Sequence, residues 1–121
     1  MIEKHSFVAE INEKIEVPLI ELARILKDNS TDDIISKLKN YSTILNNNFK
    51  ILVIEIRNYA LTLEQDSNNR ENILILVNNM EKSIEQLFIA LTNENVKGYA
   101  TEVQFLVKST ETLISYFARV I

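Results

Sequence analysis

The 121-residue sequence has no cysteine and no tryptophan, one proline, one glycine and one histidine. Each shortage removes a class of explanation. Without cysteine there is no disulfide, no thiolate nucleophile and no thiolate-bound zinc, and His5 alone cannot build a histidine-rich metal site. One glycine and one proline are too few for a strand-rich fold, which needs a turn about every 8–12 residues and draws on those two residues to make them. No apolar run approaches the roughly 20 residues of a membrane span, and the opening Met1-Ile2-Glu3-Lys4-His5 contains no apolar signal-peptide core. Nor is there an excess of positive charge. Thirteen Lys and Arg against seventeen Asp and Glu give a formal charge of −4, whereas phosphate affinity rests on releasing counterions around a basic face. The expectation is a soluble cytoplasmic protein with no nucleic-acid partner, no membrane span, no cofactor and no metal.

What is present is a helical rhythm of apolar residues, in a chain long enough for one domain and too apolar, at 46%, to stay disordered. Val8, Ile11, Ile15, Leu19, Leu22 and Leu26 recur every three or four positions and predict a first helix over about 6–27, with Ser6 as its N-cap. After the polar stretch Asp28 to Asp33, in which Ser30 and Asp33 suit a helix start, a second series runs Ile34, Leu38, Tyr41, Leu45, Phe49, Leu52, Ile56, Tyr59, Leu63. Ile51, Val53 and Ile54 widen that stripe, so this helix should touch two neighbours in its C-terminal half. Asn68 and Glu71 have capping-box spacing and open a third helix, striped by Ile73, Val77, Met80, Ile84, Leu87 and Leu91. Thr92 to Asn95, with nearby Gly98, mark the third turn. Tyr99, Val103, Leu106, Leu113, Phe117 and Val120 stripe the fourth helix, provided Thr110 occupies a core position. Short turns make neighbours antiparallel. The fold expected is an all-α, up-down-up-down four-helix bundle forming a single domain over 1–121, with helical hairpins at about 6–65 and 69–121. The apolar positions of the two hairpins match at offsets of 69 and 61, which fits either an internal duplication or two convergent heptad patterns.

No catalytic constellation can be assembled. Glu10, Glu13 and Glu16 stand three apart, but no histidine completes a metal-binding helix pair, and no glycine-rich phosphate loop or nucleophile elbow occurs. Lys37 and Lys39 sit among acidic neighbours. Pro18 is the locally disobedient residue: inside a helix it lacks an N–H and crowds the carbonyl of Lys14. It either bends the helix around the bundle or belongs to an inherited motif.

The segment Phe7-Val8-Ala9-Glu10-Ile11-Asn12-Glu13-Lys14-Ile15-Glu16-Val17-Pro18-Leu19 resembles the H-box of sensor histidine kinases, which reads roughly Phe-x-Ala-x-Val-Ser-His-Glu-Leu-Arg-x-Pro-Leu. Phe7, Ala9, Ile11, Ile15, Pro18 and Leu19 fall into place. Glu55-Ile56-Arg57-Asn58-Tyr59-Ala60 is similar to the stretch that closes the same dimerisation and phosphotransfer hairpin, with Arg57 in place of an apolar residue. The likeness covers about residues 7–64. Glu13 occupies the phosphoacceptor position, and a carboxylate offers no imidazole nitrogen to phosphorylate. Nothing after residue 66 carries the glycine-rich boxes of the ATP-binding domain. What the resemblance implies is therefore a degenerate hairpin that keeps the docking scaffold, with the second hairpin making a monomeric imitation of a kinase dimer.

Two functions of different class follow as expectations. The first is a non-enzymatic signalling or regulatory module that binds another protein, a receiver domain or kinase hairpin, through Glu10, Glu13, Lys14, Val17 and Pro18. The alternative is a small immunity, defence or mobile-element accessory protein that blocks a partner, favoured by size and acidity alone. Two further expectations concern apolar surface. Met80, Phe88, Phe105 and Phe117 could line an apolar ligand cavity, and a second copy of the chain could cover a projecting second helix near Ile51 and Ile54.

Overall fold

The computed structural model describes residues 4–27, 34–62 and 67–119. All of their regular structure is helical. The first arm is α1 (Lys4–Ile11), a π-helical turn (Asn12–Glu16) and α2 (Val17–Lys27) in direct succession; α3 (Ile34–Leu61), α4 (Ser67–Thr92) and α5 (Val96–Arg119) follow. The arm packs on α3 and α5, and α4 packs on the same two, while the arm does not approach α4 among the described residues. This is a square of four antiparallel neighbours, the up-down-up-down bundle that the apolar spacing predicts.

The core is the set of seams read from the sequence. Ile11, Ile15, Leu19 and Leu22 from the arm meet Leu38, Leu45, Phe49, Leu52 and Ile56 from α3, with Ile73, Val77, Met80, Ile84, Leu87 and Leu91 from α4. From α5 come Tyr99, Val103, Leu106, Leu113 and Phe117, all buried. Thr110 is also fully buried, and its hydroxyl donates to the Leu106 carbonyl at 2.7 Å, which satisfies a polar group that burial would otherwise penalise. Phe7, Tyr59 and Phe117 form an aromatic trio with ring centroids 5.0–5.5 Å apart at one end. At the other, Ser42 and Tyr99 share a 2.5 Å hydrogen bond across the diagonal from α3 to α5. Burial pushes the Tyr99 phenol up to about 12.

Several expectations are corrected. Ile51 and Ile54 do not widen the core stripe: they are 60% and 62% exposed, and only Val53 of that trio is buried. Ser42 and Ala60 take core positions instead, while Tyr41 and Tyr59 are half-buried. Ser6 lies within the first helix, not at its cap, and α4 begins at Ser67, one residue before Asn68. Gly98 falls in the first turn of α5, outside the loop. The reason is capping geometry. Asn95 Oδ1 accepts the Gly98 N–H at 3.0 Å, and a Cβ on Gly98 would stand 2.5 Å from the Asn95 amide nitrogen. The left-handed position that ends α4 falls on Glu94, at φ 53°, while Asn95 N–H reaches the Ala90 carbonyl and Glu94 N–H the Leu91 carbonyl. Ser30, Asp33, Leu63 and Val120 lie outside the described residues, and the His5 side chain is likewise not described.

Candidate functional site

Among the described residues the first arm is the one irregular helix. An α-helix would bond the Lys14 carbonyl to the N–H of residue 18, but Pro18 has none and its ring crowds that oxygen. The chain answers by widening one turn: Val17 N–H bonds back to the Asn12 carbonyl, five residues away. The Lys14 carbonyl then accepts a bond from Asn48 Nδ2 of α3 at 3.0 Å. A side chain from the neighbouring helix thus completes a backbone group that proline leaves open.

The wide turn also keeps the seam in register. From Phe7 through Ile11 and Ile15 to Leu19 the buried positions advance by four each time. In a regular α-helix every such step rotates the seam by about 40°, so three would carry it some 120° around the axis. One extra residue in the turn absorbs most of that drift, and all four side chains stay in the core.

Over this turn lies the surface predicted to dock a partner. Glu13 is exposed, Val17 is 50% exposed, and Ile20, three positions on, is 52% exposed. Lys14 and Glu10 form an ion pair of 2.8 Å beside them, and Glu10, accepting that hydrogen bond, pushes the Lys14 ammonium above its ordinary range. Pro18 is different: it is buried, so it shapes this surface from below and cannot be part of a contact. Ile20 is the surface residue that sequence reasoning missed. Its signal was available, since Glu13, Val17 and Ile20 follow the i, i+4, i+7 spacing of a single face.

Arg57, the residue that departs from the kinase pattern, reaches across to α4, donating to Asn78 Oδ1 at 2.8 Å and to Glu81 Oε1 at 3.1 Å. On the opposite side of α4, Ser83 Oγ donates to Glu102 Oε2 of α5 at 2.5 Å. Both contacts tie helices together. Among the described residues no three His, Asp or Glu side chains converge as metal ligands, and no helix is long and apolar enough to cross a membrane.

The proposed apolar ligand cavity does not form. Met80 and Phe117 are core residues, Phe88 is half-buried and Phe105 is 44% exposed on the surface, so the three rings and the thioether do not face one space. Phe88 instead edges an open groove of about 390 Å³ between α3 and α4, shared with Asn46, Lys50, Glu81 and Glu85. No family model, no curated protein and no solved structure matches the chain.

Proposed function

We propose that the protein is a non-enzymatic, cytoplasmic signalling or regulatory module that binds another protein through the outer face of its first arm. The observation that carries this reading is the exposed stripe of Glu13, Val17 and Ile20 over the π-helical turn. Two half-exposed aliphatic side chains beside an anionic one, on a backbone fixed by core packing and by Asn48, make a small rigid surface with an apolar centre and a charged rim. π-Turns occur frequently at functional sites, because the extra residue re-aims the side chains above it.

The partner proposed is a receiver domain or a kinase-type helical hairpin. Support comes from the H-box-like frame, in which the position of the phosphoacceptor histidine faces outward; here Glu13 supplies a fixed negative charge in that place. Two antiparallel hairpins in one chain give the four-helix cross-section that a kinase hairpin reaches by dimerising, so the module would compete for the same docking partner without transferring phosphate.

Calorimetric titration against a panel of receiver domains and kinase hairpins tests this. Binding at tens of micromolar or tighter is expected, weakened at least tenfold by Val17→Asp and by the pair Glu13→Ala, Lys14→Ala. All three positions are at least partly exposed, so the fold should survive. Absence of binding across the panel, or binding indifferent to these changes, would end the proposal.

A further inference from the structure

We infer that the outward face of α3 is a self-association seam that joins two copies of this chain in parallel about a two-fold axis. The residues on that face are Ile44, Asn47, Ile51, Ile54, Asn58 and Leu61, all of them exposed. Their spacing is 3, 4, 3, 4, 3, the a and d rhythm of a coiled coil, and it points directly away from the buried seam of the same helix. Four aliphatic side chains in an unbroken heptad register on the outside of a helix already packed on its inside are more than scattered surface hydrophobics.

The chemistry of the face favours a second copy as occupant. In a parallel, in-register pair every seam residue meets itself. Ile44, Ile51, Ile54 and Leu61 form apolar layers, and Asn47 and Asn58 each meet an identical amide that offers both a donor and an acceptor. Ile44 and Ile51 at a with Leu61 at d are choices that favour two strands, Ile54 at d is not, and Asn58 at a specifies a single register at some cost in stability.

Charge fixes the orientation. Lys50 and Glu55 flank the seam at positions g and e, where a parallel pair brings each Lys50 beside Glu55 of the other copy, twice by symmetry. Neither side chain has an ion pair of its own among the described residues, and Lys14, the cation whose field Glu55 feels, is already held by Glu10. An antiparallel pair in full overlap would set Lys50 near Arg57, a like-charge contact, on one flank and Glu55 near the neutral Asn48 on the other, so it gains no opposite-charge pair. The α3 helix occupies a corner of the square bundle, so two corners can meet without the arm or α4 intervening.

The seam is about 26 Å long at 1.5 Å per residue. A single helix pair of that length covers less than the roughly 800 Å² per partner of a standard stable interface, so the dimer should be reversible, with a dissociation constant in the micromolar range. It lies on a different face from the arm's stripe, and the two readings stand or fall separately.

Sedimentation equilibrium between about 5 and 500 µM tests the inference directly. The weight-average mass should rise from 14.0 kDa towards twice that value, and the pair Ile51→Glu, Ile54→Glu should hold it at the monomer with an unchanged helical circular dichroism spectrum. Lys50→Glu should weaken association at least threefold, and adding Glu55→Lys should restore it. Because the chain has no cysteine, Ile51→Cys alone should give an oxidised dimer. A monomer at every concentration would overturn the inference and leave the stripe to a different protein. A dimer indifferent to the two glutamates would overturn it as well, as would cross-linking that requires a mixture of Ile51→Cys and Ile54→Cys, the signature of antiparallel pairing.

Discussion

The two hairpins of this bundle use nearly the same apolar rhythm and handle it differently. The second, α4 with α5, is two uninterrupted α-helices joined by a turn whose amides and carbonyls are capped by backbone and by Asn95. The first breaks its leading helix with a π-turn, relies on a side chain from α3 to satisfy the broken segment, and among its described residues exposes six aliphatic side chains, Val17, Ile20, Ile44, Ile51, Ile54 and Leu61, where the second exposes Ile75, Ile89 and Phe105. Regular helices in one half, and a widened turn with the larger share of exposed aliphatic surface in the other, is the division expected if the second hairpin contributes more to stability and the first more to recognition, because binding surfaces are placed where they cost the core least.

That division depends on the two halves being locked together, and the lock is aromatic at one end and polar at the other. Phe117 of α5 stacks on Phe7 of the arm at 5.0 Å and touches Tyr59 of α3 at 5.5 Å, so Phe117→Ala opens a cavity shared by both hairpins. A loss of about 3–5 kcal/mol in urea unfolding is expected, and with it the arm should become far less protected in hydrogen exchange than α4. Comparable loss of protection in both hairpins would break the comparison. At the other end Tyr99→Phe leaves the Ser42 hydroxyl buried and alone, at a cost of about 1–3 kcal/mol, much of which Ser42→Ala added to it should recover. The same pair makes a pH prediction. The folded phenol, near 12, holds its proton more tightly than the unfolded one, near 10, so its contribution is complete below pH 10 and is lost as pH rises towards 12. Wild type should therefore destabilise on the order of 2 kcal/mol more steeply over that window than Tyr99→Phe.

A smaller change sharpens the contrast within the first hairpin. Asn48→Ala removes the donor from the Lys14 carbonyl without touching the apolar seam, and a cost of about 1 kcal/mol is expected. Faster amide exchange should be confined to the arm around Asn12–Glu16. If exchange in α4 and α5 rose equally, the arm would not be the separately adjustable element that its geometry implies.

How far the sequence reveals these features depends on whether a residue's role is periodic. Helix order, three of the four buried stripes and the intrusion of Thr110 into the α5 seam all follow from spacing, because spacing is what a seam must satisfy. Sidedness on α3 follows from spacing as well, but composition hides it: Ile51, Val53 and Ile54 are equally apolar, and only their angle from Phe49 and Leu52 about the helix axis sends Val53 inward and the other two out. The π-turn was half legible. Pro18 announces that the Lys14 carbonyl loses its partner, and the run of fours from Phe7 to Leu19 demands an extra residue, but nothing local says that Asn48, the last of three consecutive asparagines, will be the one to complete it. The proposed docking surface is the hardest to read: Glu10, Glu13, Lys14 and Val17 lie together on the outer face of the arm, Pro18 lies beneath them, and Ile20 adds to that face from the next turn.

The smallest expected effect concerns the one imperfection of the second hairpin. Glu94 holds the left-handed position that closes α4, at φ 53°, where its Cβ crowds the backbone and glycine would not. Gly98, four residues on, is the chain's one glycine and is needed where it stands, because a Cβ there would displace the Asn95 cap of α5. Replacing Glu94 with glycine removes the crowding but loosens the unfolded chain, and the first effect exceeds the second. A gain of about 0.5–1 kcal/mol is expected in thermal or urea unfolding, with no change in the hydrogen-exchange pattern of the arm. A loss on Glu94→Gly would mean that the Glu94 side chain contributes more than its backbone strain costs, and that the regular hairpin, like the irregular one, keeps a residue at some expense to its own stability.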